Sequence, residues 1–261
     1  MTIRQSKPDR YLSMPHPCSY LDARKSTILF VDPQRILSAG EYGAFVRQGF
    51  RRSGDLVYRP HCQQCSACVP VRVPVREFAP TRGQRRVWSR NHDIEVVEKP
   101  ARFDAEHFDL YRRYQAGRHP DSGMNDADPQ KFLGFLASRQ VDTKFFELRA
   151  QGRLLGVAVA DVLPDGLSAV YTFFDPDVPQ RGLGVYAVLW EIAETARRGL
   201  DYLYLGYWIG ESAKMSYKSN YRPIEALRGG HWINLAPPTA TEASFTDGGS
   251  AKNAGAVFPP R

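Results

Sequence analysis

Residues 204–223 read YLGYWIGESAKMSYKSNYRP, and this stretch decides how the second half of the chain is laid out. Its first half continues from Tyr202 as YLYLGYWI, a run rich in aromatic and aliphatic residues that predicts a strand covered on both faces. Gly206 interrupts the run. A glycine inside a strand packs no side chain and marks a bulge or the close approach of another group, so a cleft is expected along this strand. The second half, KMSYKSNY, is different: Lys214, Lys218 and Asn220 sit among Tyr217 and Tyr221, a mixture that strand burial does not explain.

Working back from this stretch, Val185, Leu189, Ile192 and Ala196 repeat at helical spacing, and Arg197, Arg198 and Gly199 form a suitable end for that helix. Before it, KFFELRA, RLLGVAVADVL and LSAVYTFFD are joined by the turn pairs Gln151-Gly152 and Asp165-Gly166, which predicts an antiparallel meander. Earlier still, HDIEVVE reads as a strand. DAEHFDLYRRYQAGR reads as a helix with Asp104 as N-cap and Phe108, Tyr111 and Tyr114 on one face; a loop follows, then a helix opened by Asp128 and Pro129 with Phe132, Phe135 and Leu136 inward. A short helix and EALRGGHWINL come last. This order resembles that of the GCN5-related acyltransferases, an α+β fold in which a glycine loop leads from the strands into a helix whose first amides hold a phosphate. Here the loop is Gln180-Arg181-Gly182-Leu183-Gly184, with Gly182 and Gly184 as the binding candidates.

The chain has 261 residues, 43% of them hydrophobic and 24% charged, enough for two domains. The division expected is a cysteine- and arginine-rich N-terminal domain at 1–78, an acyltransferase-like domain at 79–236, and a disordered tail at 237–261 poor in large apolar residues. A formal charge of +7 favours a polyanionic or acidic partner. Its placement is more informative than its size: from Arg47 to Arg90 every cation is arginine, opposed only by Asp55 and Glu77, which suits bidentate contacts to phosphate or carboxylate. Neither a membrane-spanning run nor a signal peptide is visible, so a cytoplasmic monomer away from membranes is expected. Cys18, Cys62, Cys65 and Cys68 are then thiols rather than disulfides, and the Cys-x-x-Cys-x-x-Cys spacing with one distant partner suits an iron–sulfur cluster somewhat better than zinc, a metal-free set being the alternative.

PCSYL at 17–21, GFRRSGDLVYRPHCQQCSACVPVRV at 49–73, FAPTRGQRR at 78–86, LYRRYQ at 110–115, YTFFDPD at 171–177, GLGVYAVLWEI at 182–192 and the opening stretch resemble, in order, the arginyl-tRNA–protein transferase family. The resemblance is closest to its short bacterial branch, the aspartate/glutamate leucyltransferases. It implies transfer of an aminoacyl group from a charged tRNA to the α-amine of a protein beginning with an acidic residue, the step that commits that protein to N-end-rule degradation. It also links the cysteines to the iron–sulfur or haem chemistry of eukaryotic relatives, although the transfer itself requires no cofactor.

An aminoacyl ester is already activated, so the site must position an uncharged amine, stabilise an oxyanion and protonate the leaving ribose hydroxyl. On that reading Asp175, at the end of the third meander strand, is the candidate base, with Tyr171 and Tyr207 as donors to the leaving oxygen. Trp208, Tyr217, Lys214 and Lys218 are candidates for the unpaired tRNA end, where rings stack on bases and lysines meet phosphate, and Arg82, Arg85 and Arg86 for the acceptor stem. Arg51, Arg52 and Arg72 are candidates for the acidic side chain of the acceptor. The sequence leaves open an arginyl donor, an acetyl-CoA-dependent N-acetyltransferase and a non-catalytic RNA-binding module.

Overall fold

The computed structural model describes residues 10–118 and 128–235; the tail at 237–261 and the loop at 119–127 lie outside the described residues. The chain opens with β1 (Arg10–Leu12), β2 (His16–Pro17), β3 (Lys25–Ser26) and β4 (Ile28–Val31), then α1 (Ala39–Arg47), β5 (Arg51–Ser53) and β6 (Leu56–Pro60). Strands β1, β4, β6 and β5 form a small sheet in that order. β7 (Val69–Pro74) leaves it and crosses to the main sheet, although it lies within the segment expected to be a separate domain.

The remainder runs α2 (Arg82–Arg90), β8 (Ile94–Pro100), α3 (Ala105–Arg118), α4 (Pro129–Leu136), β9 (Thr143–Ala150), β10 (Arg153–Val162), β11 (Gly166–Phe174), α5 (Leu183–Arg197), β12 (Tyr202–Trp208), α6 (Ala213–Ser216), β13 (Glu225–Arg228) and β14 (His231–Asn234). The main sheet is eight-stranded in the order β14-β13-β7-β12-β11-β10-β9-β8. The fold is thus mixed α/β around one large sheet. Alternation along its central strands explains the layering. Phe146 and Leu148 of β9 and Ala158 and Ala160 of β10 face α5, joining Leu189 and Ile192 with Val87 and Trp88 of α2. The intervening Phe145, Val157 and Val159 face the other way, onto Phe108 and Tyr111 of α3 and Phe132 and Leu136 of α4. A third cluster joins the small sheet to the main one through Tyr42, Phe45, Phe50, Val57, Leu163 and Tyr204. Each fully buried Val, Leu, Ile or Phe side chain in these layers contributes about 1.5–3 kcal/mol.

The expected meander is present, and its Gln151-Gly152 turn has both residues at positive φ, 51° and 80°. Asp104 and Asp128 cap their helices as expected. Two readings change and one helix is added. EALRGGHWINL is a hairpin, β13 and β14, because Gly229 and Gly230 supply positive φ at its turn. The buried face of α5 is Tyr186 to Leu189, Glu191, Ile192, Glu194 and Thr195, whereas Val185 and Ala196 point outward. FAPTRGQRR starts a helix: Thr81 accepts from the Gln84 amide and Gln84 accepts from the Thr81 amide, a capping box legible as T-x-x-Q.

Candidate active site

The site arises where two neighbouring strands part. β11 and β12 run parallel and pair only over Gly166–Ser168 and Tyr202–Tyr204, beyond which they diverge. Divergence leaves carbonyl groups on facing strand edges without ladder partners, and buried carbonyls need donors. Arg51 of β5 supplies them. Its guanidinium donates to the Leu205 carbonyl of β12 at 3.1 Å and to the Ala169 and Val170 carbonyls of β11 at 2.5 and 3.4 Å. Gly206 makes room for it. The strand bulges between Tyr204 and Gly206, the glycine sits at φ 75°, and a Cβ there would lie 1.4 Å from an Arg51 nitrogen. The interruption in YLYLGYWI therefore marks a bulge and a close approach together.

Glu191 of α5 faces this splay. It is fully buried, and neither carboxylate oxygen has a hydrogen-bond partner among the described residues. Burial pushes its carboxyl up to about 8, with the Arg51 charge pulling the other way. Tyr217 and Tyr221 feel its charge from the 3-10 turn at Tyr217–Asn220. Tyr217 is 45% exposed and lies at the mouth. The aromatic wall continues through Tyr114 of α3, whose ring is 4.9 Å from that of Phe174 and 6.3 Å from that of Tyr171. Tyr171 accepts from Gln115 at 3.3 Å. The structure thus sets Glu191 and Tyr217 near Arg51 at the splay, and Tyr171 and Tyr114 together beside Phe174 at the end of β11. A signal for Glu191 was present: a glutamate among Leu189, Trp190 and Ile192, in register with Gly184 and Ala187 on one helix row.

The other candidates lie elsewhere or are engaged. Asp175 is buried beneath Arg113, at 3.0 Å, and Arg153, and also accepts from the Asp177 amide at 3.1 Å. Burial opposes its charge, but the Asp177 N–H and the two guanidiniums outweigh burial and hold the carboxyl below the usual carboxylate range. A carboxylate so stabilised is a poor proton acceptor near neutral pH, and its geometry is that of a loop clamp. The Asp175→Asn variant should therefore lose stability at pH 7. Because the folded pKa is the lower one, that loss should fade as pH falls through the carboxylate range, as thermal melts from pH 7 to pH 3 would show.

Tyr207 is buried against the small sheet, its hydroxyl donating to the Gly49 carbonyl at 2.9 Å. Lys218 is also buried: its ammonium donates to the Tyr207 carbonyl at 2.6 Å, and burial followed by the Arg51 charge drives its pKa down. It fastens the end of β12 instead of presenting a charge to phosphate. Arg52 is buried in a bidentate pair with Asp161 at 2.6 and 2.8 Å. Arg72 binds Glu225 at 2.6 Å and stacks 3.5 Å over the Tyr202 ring. Neither guanidinium is available for an acceptor side chain, and Arg51 is likewise engaged, by the Leu205, Ala169 and Val170 carbonyls. Trp208 packs on the core, its indole N–H without a partner among the described residues, and Lys214 is exposed on α6.

Gly182 caps α5 at φ 64°, and Gly184 lies where a Cβ would meet the Phe174 ring at 3.2 Å. Helix α2 packs alongside: Arg90 donates to the Gln180 carbonyl, and Asn91 donates to the Arg181 carbonyl at 2.8 Å. Arg82, Arg85 and Arg86 line a shallow exposed surface with Ser89 and Arg90, and α2 contains no acidic residue. An arginine face and the positive end of a helix are therefore adjacent.

Cys18, Cys62, Cys65 and Cys68 line one cavity of about 710 Å³ between the small sheet and the main one, together with Tyr20, Tyr58 and Tyr207. Burial, followed by the three other thiols, pushes Cys68 up to about 11. Cys65 is lowered, first by the Ala67 amide and then, against some burial, by Arg24. Among the described residues, three metal-ligating atoms come within 4.8 Å of one another only at Asp104, His107 and Glu147, where Asp104 already caps α3 and His107 binds Glu147 at 2.7 Å.

The family described as "Arginine-tRNA-protein transferase, C terminus" matches residues 106–228, and "Arginine-tRNA-protein transferase, N terminus" matches residues 16–86. The chain belongs to this family of aminoacyl-tRNA–protein transferases. Among its relatives, "Aspartate/glutamate leucyltransferase" of Pseudomonas aeruginosa (strain LESB58) is 51% identical over 86% of this chain and 96% of its own length. The protein of the same description in Nitrosococcus oceani (strain ATCC 19707) is 52% identical over 87% of this chain and 96% of its own. A solved structure described as L-PGS from Bacillus licheniformis is 14% identical over 57% of this chain and 48% of its own, with a TM-score of 0.43.

Proposed function

We propose that this chain is an aspartate/glutamate leucyltransferase, moving leucine from leucyl-tRNA to the α-amine of proteins that begin with Asp or Glu and so marking them for N-end-rule degradation. The observation that carries this reading is the 51% identity to relatives of that description over 96% of their length; the family matches at 16–86 and 106–228 take in β5, β7, α5 and β12, the elements around the splay. The geometry supports it. An acyltransferase-like core opens between β11 and β12, aromatic rings stand at the mouth, and arginines lie beside the start of α5. A tRNA 3′ end needs phosphate contacts outside and stacking at the entrance. The reaction belongs in the cytoplasm, with aminoacyl-tRNA and the acceptor protein as its partners. Among the described residues no helix is long and apolar enough to cross a membrane.

In this arrangement the leucyl ester approaches the splay beside Arg51, which braces the two strands, and the acceptor amine approaches from the Tyr217 side. The test uses labelled leucyl-tRNA, arginyl-tRNA and acetyl-CoA in parallel with peptides beginning Asp, Glu or Ala. Leucine should pass to the first two peptides only; transfer of arginine or acetate instead would replace this reading. Replacing Arg82 or Arg86 by alanine should weaken binding of uncharged tRNA and make the salt dependence shallower by about 0.9 per lost phosphate contact. An unchanged slope in filter binding would place the tRNA elsewhere.

The cysteine cavity is a second element of the proposal. Four thiols around one space form a soft donor set that suits an iron–sulfur cluster better than zinc, since no three of these sulfurs lie within 4.8 Å of one another as tetrahedral zinc requires; Cys18, Cys62, Cys65 and Cys68 would hold the group as a structural tie between the two sheets. Anaerobic purification should yield iron or zinc with the wild type, and the Cys62→Ser and Cys65→Ser pair should lose it; absence of both metals from the wild type would mean the thiols stay free.

A further inference from the structure

The mechanism requires a group that removes a proton from the acceptor amine, and Asp175 is not suited to it. An α-ammonium is not nucleophilic, and at neutral pH a protein N-terminus is largely protonated. Any carboxylate that serves must lie at the cleft with an oxygen to offer. Among the described carboxylates, Glu191 has both.

We infer that Glu191 is the proton acceptor for the α-ammonium of the incoming protein, held between Arg51 and Tyr217 at the floor of the splay. This rests on the leucyl-transfer reading above. Four observations carry it. Glu191 is fully buried, with both oxygens lacking a donor, a rare and costly condition for a side chain with only a packing role. Its row on α5 starts at Gly184, where the helix meets Phe174 at the end of β11, so it points along the side of the cleft. The groups facing it are Arg51 of β5 and Tyr217 and Tyr221 of the 3-10 turn, a single cation and two hydroxyl-bearing rings. Its neighbour on the same helix, Glu194, is instead fully paired with Arg197 and Arg198 at 2.7 Å. An ammonium arriving past Tyr217 brings the donors that Glu191 lacks.

The step balances as follows. The Glu191 carboxylate takes one proton from the α-ammonium, and the freed nitrogen lone pair attacks the ester carbonyl carbon of the leucyl group. The bond from that carbon to the ribose oxygen breaks, and a second proton from the nitrogen leaves with the ribose as its hydroxyl. The amide remains, and the proton on Glu191 passes to solvent. Burial keeps the Glu191 carboxylate basic, and the Arg51 charge opposes burial by favouring its ionised form. Its proton affinity, pushed up to about 8, is close to that of a free α-amino group, the match that general base catalysis favours.

The experiment is single-turnover leucyl transfer to a peptide beginning with Asp, from pH 6.0 to pH 9.0, for the wild type and Glu191→Gln. The variant should be slower by about 100-fold near pH 8, where an ionised Glu191 and a protonated amine coexist, by less at pH 6.5, where Glu191 is itself protonated, and by under about tenfold at pH 9, where the amine is already neutral in solution. Parental rates at pH 8, or a loss of equal size at every pH, would overturn the assignment. Thermal melts of both proteins give a readout independent of turnover. The wild type should lose stability relative to Glu191→Gln as pH rises from about 5 to about 8, since the raised folded pKa makes ionisation unfavourable there. A difference that does not change with pH would overturn it equally. Wild-type protein that transfers no leucine removes the functional reading and this inference together, whereas normal transfer with an unaffected variant removes this inference alone.

Discussion

The Gly206→Ala variant should abolish transfer and lower stability by about 2–4 kcal/mol, because an alanine Cβ and the Arg51 guanidinium cannot occupy the same place. The new Cβ would lie 1.4 Å from Arg51 Nη1 and 2.3 Å from Cζ, distances that only withdrawal of the whole head group can relieve. Withdrawal strands the carbonyls of Leu205 and Ala169, each costing about 1–3 kcal/mol without a donor, and the alanine must also hold a φ of 75°. Replacing Arg51 as well removes the clash but not the stranded carbonyls. The double variant Arg51→Ala/Gly206→Ala should therefore be no less stable than the sum of the singles implies, and measurably more so. Denaturant unfolding of the four proteins measures this coupling; additivity would mean that Arg51 and Gly206 do not share the splay.

Breaking the buried Arg52–Asp161 pair should have a still larger effect on stability and a smaller one on chemistry. Arg52 donates to both oxygens of Asp161, to Thr143 Oγ1 at 2.8 Å and to the Leu136 carbonyl at 2.9 Å, while Tyr42 donates to Asp161 at 2.8 Å. These contacts join the small sheet, α1, α4 and β10. Arg52→Met leaves a buried carboxylate without its cation, a change that costs about 3–5 kcal/mol. Replacing both partners with apolar residues should restore much of that loss, since desolvation of two charges is then avoided. Well below the transition temperature the folded fraction of either variant should transfer leucine at near-parental rates. A marked fall in rate without a fall in stability would return Arg52 to the acceptor-binding role that its position beside Arg51 in the sequence suggests.

These two adjacent arginines show where sequence reading stops. Neighbours on a strand point to opposite faces, so Arg51 enters the splay and Arg52 enters the core; nothing in the string GFRRSGD states which goes where. The elements from β8 to β12 were legible because period, caps and turn glycines agree there. The contribution of β7 to the main sheet was not, because pairing with β12 and β13 joins residues far apart in the chain. Gly206 announced the bulge and the close approach of another group, here Arg51, since a glycine inside an apolar strand has few other uses. Lys218 and Tyr207 misled for a physical reason: a lysine and a tyrosine hydroxyl look like surface chemistry in sequence, yet each here closes a buried backbone carbonyl. Asp175 was placed correctly at a strand end, but its two arginine partners come from α3 and β10 and were not visible from FFDPD. Glu191 was hidden by the opposite fault, being a single charge in an apolar helix pattern that was read for its hydrophobic residues alone.

The central claim is that the aminoacyl end of the tRNA reacts in the gap between β11 and β12. The most direct measurement is a crystal structure with a non-hydrolysable amide analogue of leucyl-adenosine. The account predicts the leucyl carbonyl between the two strands near Arg51 and Glu191, with the adenosine toward Tyr217 and the start of α5. An analogue bound instead in the cysteine-lined cavity, with Arg51 still bridging β11 and β12, would contradict it.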